Sequence, residues 1–91
     1  MTRLVWRPLA LADRTSIMTR IAADNPAAAL SLDLEFKARA EMARDRPTLY
    51  RPGRLKGTRE IVVRPTYVMI YRVLDDAVEI LRVLHTAQQW P

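Results

Sequence analysis

The side chains best suited to chemistry lie in the last third of the chain: Arg64 and Arg82, with Glu60, Tyr67 and His85 around them. The arginines stand inside β-type runs and not in the turns between them, a placement that folding alone does not require. A guanidinium is a planar fork of donors that meets a phosphate or carboxylate at two points, so two of them on one sheet face would hold an anion. Glu60 could act beside them as base or acid, Tyr67 offers a phenol, and His85 an imidazole. Lys56 in the preceding loop adds charge, and Trp90 in the tail adds an aromatic contact. Each also has an ordinary reading. Glu60 would pair with an arginine, His85 would bond the strand end, the tyrosines would pack across strands, and Trp90 would fold back on the body.

These residues are positioned by three runs rich in Val, Ile, Tyr and Leu, separated by Pro65-Thr66 and Asp75-Asp76. Short breaks of that kind join antiparallel neighbours, so a meander is expected. With two-residue turns, Arg64 lies opposite Tyr67 and Leu74 opposite Ala77, and alternation sorts the side chains into two faces. The expected core face carries Ile61, Ile70 and Leu81, then Val63, Val68 and Val83, with Arg59, Arg72 and Glu79 as a charged edge row. The expected open face carries Glu60, Tyr71 and Ile80, then Val62, Met69 and Arg82, then Arg64, Tyr67 and Leu84. His85 falls on the side opposite Glu60. A slip of one residue would exchange the faces of a strand.

The N-terminal half supplies the layer that covers the core face. Thr2 to Trp6 reads as a short strand at a sheet edge, and Pro8 sits where a helix can begin because its missing N–H is no loss there. That helix is expected to run to about Ala23, with Ala10, Ile17, Met18 and Ile21 inward and Arg14 snorkelling at the margin. Asn25-Pro26 is a second helix start, with Asn25 as N-cap, and the helix runs to about Arg44. Leu30, Leu34, Ala38 and Met42 recur every fourth residue and are assigned to its buried stripe. The segment RPTLYRPGRLKG, Arg46 to Gly57, holds both glycines and four cations and reads as a long loop. The expected fold is α+β, in the order β-α-α-β-β-β, with a helical hairpin on one face of a small, mainly antiparallel sheet.

Ninety-one residues suit one domain, 1–91, that buries about 60–65% of its unfolded surface. With no cysteine and one histidine, neither disulfides nor a thiolate or multi-histidine metal site is available, and no cofactor is expected. No apolar run approaches the roughly 20 residues of a membrane span, nor does the N-terminus carry a secretion-type apolar core; a cytoplasmic protein is expected. Lys and Arg number 15 against 10 Asp and Glu, a net charge of +5 that favours acidic or polyanionic partners. All but two of these cations, Lys37 and Lys56, are arginine, which suits specific anion contacts and also follows from GC-rich coding.

The element order, the helix start Asn25-Pro26-Ala27-Ala28, Leu49-Tyr50, and above all GTREIVV, YVMIYRV and ILRVLHTAQQWP resemble the ParE/RelE superfamily of toxins from type II toxin–antitoxin modules. The resemblance covers nearly the whole chain and is nearer the ParE and plasmid-stabilisation branch. GTRE and HTAQQWP are typical there, and the lysine cluster of RelE messenger-RNA endonucleases is missing. It implies a poison of growth held in check by a small acidic antitoxin, whose C-terminal segment lies as a helix or added strand along the toxin. ParE-type members are associated with inhibition of DNA gyrase; RelE-type members enter the ribosomal A site and cut messenger RNA. A third reading is an interaction domain without toxicity.

Metal-free RNA cleavage needs a base for the 2′-hydroxyl, cations for the pentacovalent phosphate and an acid for the leaving oxygen. Arg64, at a position that resembles a phosphate-contacting arginine of RelE enzymes, and Arg82 could supply the cations. Base and acid are harder to find among Glu60, Tyr67 and His85, and Trp90 cannot exchange protons. An inhibitor acting by contact needs none of these, only a binding surface, here Lys56, Arg64, Tyr67, Arg82 and Trp90. The gyrase reading is therefore preferred, with the endonuclease as its alternative.

Overall fold

The computed structural model describes residues 2–90. They run as β1 (Arg3–Trp6), α1 (Pro8–Ala22), α2 (Pro26–Asp45), β2 (Arg51–Pro52), β3 (Thr58–Val63), β4 (Tyr67–Val73) and β5 (Ala77–His85). The sheet order is β1-β5-β4-β3-β2, with β1 parallel to β5 and every other pair antiparallel. The expected α+β order is present, with β1 at an edge and one addition, the two-residue β2 inside the segment read as loop. Among the described residues, no helix is long and apolar enough to cross a membrane.

The helix boundaries follow from local chemistry. Pro8 and Pro26 open the two helices, and the Asn25 side chain accepts a hydrogen bond from the Ala28 N–H at 3.0 Å. In α1 the expected stripe is the inward one: Ala10 is buried, while Ile17, Met18 and Ile21 pack against the core. Arg14 does more than snorkel. Its guanidinium lies 4.3 Å above the Trp6 ring and donates twice to Asp33 of α2, which ties the hairpin together.

In α2 the expected stripe is on the wrong side. Leu30, Leu34 and Met42 are 62%, 56% and 44% exposed, and Ala38 is exposed too; the buried residues are Ala29, Leu32, Phe36, Ala40 and Ala43. Steps of four advance 400° on a 3.6-residue helix and drift off a fixed direction, whereas the mixed threes and fours of the buried set hold it. Its alanines also let the helix approach α1 and the sheet closely.

The register of the meander corrects the expected faces. Asp75 and Asp76 lie in the β4–β5 turn as expected, with Val73 opposite Val78, but a bulge follows: Tyr71 pairs with Ile80 and Ile70 with Arg82, leaving Leu81 extra. Between β3 and β4 the turn is longer than expected, with Val63 opposite Tyr67 and Arg64 at φ +53°. Two-residue hairpin loops need a positive φ at their first central residue, which a proline ring at φ near −65° cannot supply. The left-handed position therefore falls on Arg64, and β4 slips by one.

Consequently Tyr67, Met69, Tyr71 and Ile80, expected on the open face, turn toward the helices, while Val68, Ile70 and Leu81 leave the expected core row. Ile61, Val63 and Val83 are core as expected, and Glu60, Val62 and Leu84 lie on the other face. Tyr71 is fully buried because its hydroxyl has an acceptor, donating to the Pro47 carbonyl at 2.6 Å. Burial holds its phenol above the ordinary value of 10.0.

Two measurements check this packing. Leu32→Ala should cost about 2–5 kcal/mol and Phe36→Ala about 3–5 kcal/mol in denaturant unfolding, whereas Leu34→Ala should stay within about 0.5 kcal/mol. Because the folded phenol of Tyr71 is raised above its unfolded value of 10.0, its contribution is complete below that pH and is lost as pH rises through the folded value. Unfolding free energies between about pH 8 and pH 11 should fall more steeply in the wild type than in Tyr71→Phe.

Candidate functional site

Arg64 and Arg82 do not form a pair. Arg64, on the β3–β4 turn, donates through Nε to Glu35 of α2 at 2.9 Å and through Nη2 to Ser31 at 3.3 Å. Arg82 donates through Nε and Nη2 to the two oxygens of Asp13 on α1, at 2.8 and 3.0 Å. Those bonds hold the Arg82 guanidinium above its ordinary pKa. The expectation that both project free from an uncovered face is thus corrected: each is drawn toward the helical layer and neutralised by its own carboxylate.

Asp13 has a second task. β1 ends at Trp6, so the outer edge of β5 has no strand neighbour beyond Ile80, and Asp13 Oδ2 accepts the Val83 N–H there at 2.9 Å. One carboxylate therefore closes a strand edge and holds a cation. Spacing gives no sign of this, since the partners are 69 and 70 residues apart.

The groups read as acid or base are separated by the sheet. Tyr67 faces the helices, edge-on to Phe36 at 5.7 Å and to His85 at 5.8 Å. His85 Nδ1 accepts the Ala87 N–H at 3.0 Å, so the ring is engaged with the chain that follows it. Glu60 is buried on the opposite face, accepting from Arg51 Nη2 at 3.2 Å and from the Arg54 backbone N–H at 3.1 Å. Tyr67 and His85, expected on opposite faces, meet across β4 and β5, and neither meets Glu60, which Tyr67 was expected to join. The expected edge row is half right: Arg72 donates to Glu79 at 2.6 Å, whereas Arg59 turns to the Tyr50 carbonyl at 2.7 Å.

The face away from the helices holds a hollow that the sequence reading missed. Val62, Val68, Ile70 and Leu84 floor a space of about 130 Å³, with Arg51, Arg54 and Trp90 around it. The loop that brings the arginines over the sheet is anchored by Gly53 N–H to the Thr58 carbonyl at 2.8 Å, and a side chain at Gly53 would collide with Thr58 Oγ1. Trp90 is tethered by its carbonyl, which accepts from Arg54 Nη1 at 3.3 Å. The tail does fold back on the body, as expected. Lys56 is exposed on the same loop. The available signals were the four cations of RPTLYRPGRLKG and the need of Glu60 for a partner.

The described residues contain no group of three or more His, Asp or Glu that could hold a metal ion. The family described as the ParE toxin of the type II toxin–antitoxin system, parDE, matches residues 4–90. This chain belongs to the ParE toxin family. Toxin RelE2 of Caulobacter vibrioides is 39% identical over 90 residues, covering 97% of this chain and 99% of that protein. Y4kP of Sinorhizobium fredii is 38% identical over 90 residues, covering 98% and 93%. The fold is shared with a chain of the chromosomal ParDE system from P. aeruginosa, at a TM-score of 0.82 and 21% identity over 93% of this chain and 96% of that one. A Helicobacter pylori protein known from its solution structure matches at a TM-score of 0.63 and 19% identity, over 97% and 98%. Membership of the ParE toxin family makes this a type II toxin and implies an antitoxin partner.

The double role of Asp13 is testable in this ParE-family chain. Asp13→Ala should lose about 1–3 kcal/mol in urea unfolding, because it strands both a guanidinium and a backbone N–H. Arg82→Ala should cost less, since Asp13 keeps its bond to Val83, and a double-mutant cycle should give a coupling of about 0.5–3 kcal/mol.

Proposed function

We propose that this toxin arrests growth as ParE-type members do, by binding DNA gyrase and inhibiting it by contact, and that it acts in the cytoplasm. The observation that carries this reading is the dispersal of the proton-transfer groups. Glu60 is locked between Arg51 and Arg54 on one face, Tyr67 and His85 lie on the other, and Arg64 and Arg82 are each bound to a helix carboxylate. Cleavage by a 2′-hydroxyl needs a base, a phosphate clamp and an acid within hydrogen-bond reach of one phosphate. A contact inhibitor needs a surface alone; of the candidate binding residues, Lys56 and Trp90 belong to the loop and tail over the open face, whereas Arg64, Tyr67 and Arg82 are engaged with the helical layer.

The partner proposed to restrain it is an acidic antitoxin, whose encounter with a chain of net charge +5 is speeded by long-range attraction at low salt. The competing endonuclease reading draws on one finding, the name of the relative from Caulobacter vibrioides, Toxin RelE2.

A paired assay separates the two. The purified chain is expected to inhibit supercoiling by gyrase while leaving messages intact in a reconstituted translation reaction. Truncated messages with unimpeded supercoiling would reverse the assignment, and loss of cleavage in Arg64→Ala/Arg82→Ala would then locate the chemistry. A chain that neither inhibits gyrase nor cuts messages, and that does not slow growth when expressed, would be the non-toxic interaction domain.

A further inference from the structure

Where the second half of α1 passes the end of β5, another hollow opens on the helix side of the sheet. It measures about 400 Å³ and is lined by Asp13, Ser16, Arg20, Tyr67, His85 and Gln88, with Ile17 and Val83 between them. Helical spacing makes one wall, since Asp13, Ser16 and Arg20 follow one another at three and four residues along a single stripe of α1. Strand pairing makes the other, since Tyr67 stands opposite His85 with the rings edge-on at 5.8 Å. The acceptors here are occupied. Both Asp13 oxygens are held by Arg82, and Oδ2 takes the Val83 N–H as well. The Gln88 side-chain oxygen accepts the His85 N–H at 2.7 Å. The donors are left over. Gln88 keeps its amide NH2, and because His85 Nδ1 accepts from Ala87, the neutral ring carries its proton on Nε2. Arg20 is exposed, and among the described residues it enters no ion pair.

We propose that this hollow binds a small phosphate monoester, its phosphate held by Arg20, the His85 Nε2–H and the hydroxyls of Ser16 and Tyr67. The donors come from α1 on one side and from β4 and β5 on the other. They suit an anion that presents oxygens in several directions, as a tetrahedral phosphate does and a planar carboxylate does not. Asp13 does not oppose it, because Arg82 neutralises that carboxylate. The volume is that of a small-ligand pocket, so space remains beside the phosphate for the group that carries it. A nucleic-acid strand needs a continuous cationic track, and at this end of the sheet Arg64 and Arg82 are already held by Glu35 and Asp13. The site draws on none of the loop residues over the opposite face, so it stands whether gyrase or the ribosome is the toxin's target.

The chain has one histidine, so the ring signals of His85 are unambiguous in the ¹⁵N-labelled full-length protein. The probes are adenosine 5′-monophosphate and ribose 5-phosphate, at constant ionic strength. Inorganic phosphate, succinate, adenosine, and hexathymidine without a terminal phosphate are the comparisons. Both probes should move the His85 Nε2 signal and saturate, inorganic phosphate should bind more weakly, and the other three at least about ten-fold more weakly. Arg20→Gln should weaken both probes by about ten-fold, and Tyr67→Phe, which keeps the ring and removes the hydroxyl, by a smaller factor. Arg3→Gln removes the same charge at the other end of β5 and should alter binding by less than about two-fold. The thermal midpoints of Arg20→Gln and the wild type should agree without ligand. An unmoved His85 signal overturns the proposal. So does equal binding of inorganic phosphate, succinate, adenosine or hexathymidine, or an equal loss in Arg3→Gln and Arg20→Gln.

Discussion

A proline ring cannot adopt a positive φ, and much of this molecule's surface follows from that constraint. At Pro65 it denies β3 and β4 a two-residue loop, passes the left-handed position to Arg64, and shifts β4 by one residue. The shift turns Tyr67, Met69 and Tyr71 under the helices and puts Val68 and Ile70 on the opposite face. The same turn carries Arg64 to Glu35, so backbone geometry also decides where that charge is neutralised.

Charge in this small domain is spent locally. Arg14 binds Asp33, Arg82 binds Asp13, Arg72 binds Glu79, Arg51 binds Glu60 and Arg64 binds Glu35. Exposed pairs of this kind contribute about 0–1 kcal/mol each, and the more enclosed ones also organise backbone, as Asp13 does at Val83 and Glu60 at Arg54. The net positive charge is therefore not a uniform coat. On the loop over the sheet it stays directed, because among the described residues the Arg51 and Arg54 side chains make one bond each, to Glu60 and to the Trp90 carbonyl.

What could be read in the sequence was what depends on neighbours in the chain. The proline and Asn25-Pro26 starts gave both helices, β-branched runs gave the strands, Asp75-Asp76 gave one turn, and the C-terminal motifs gave the family. What could not be read depends on distant partners or on a count of one. Two apolar stripes compete on α2, and only contact with the sheet selects the one with Leu32 and Phe36 over the one with Leu30 and Leu34. The bulge at Leu81 reverses alternation halfway along β5, which no period-two reading anticipates. Arginines inside strands looked free because their carboxylates lie in helices far away in the chain.

The parallel pairing of β1 with β5 has a kinetic side. Arg3 aligns with Ala77, so the edge of the sheet joins the two most separated elements of the chain, while the β3–β4–β5 meander forms from neighbours. Closing that long loop costs entropy before any contact repays it. During synthesis β1 emerges well before β5 and must wait, without its neighbour, until that strand has left the ribosome. The pairing that completes this edge of the sheet thus stays open until β5 has been translated.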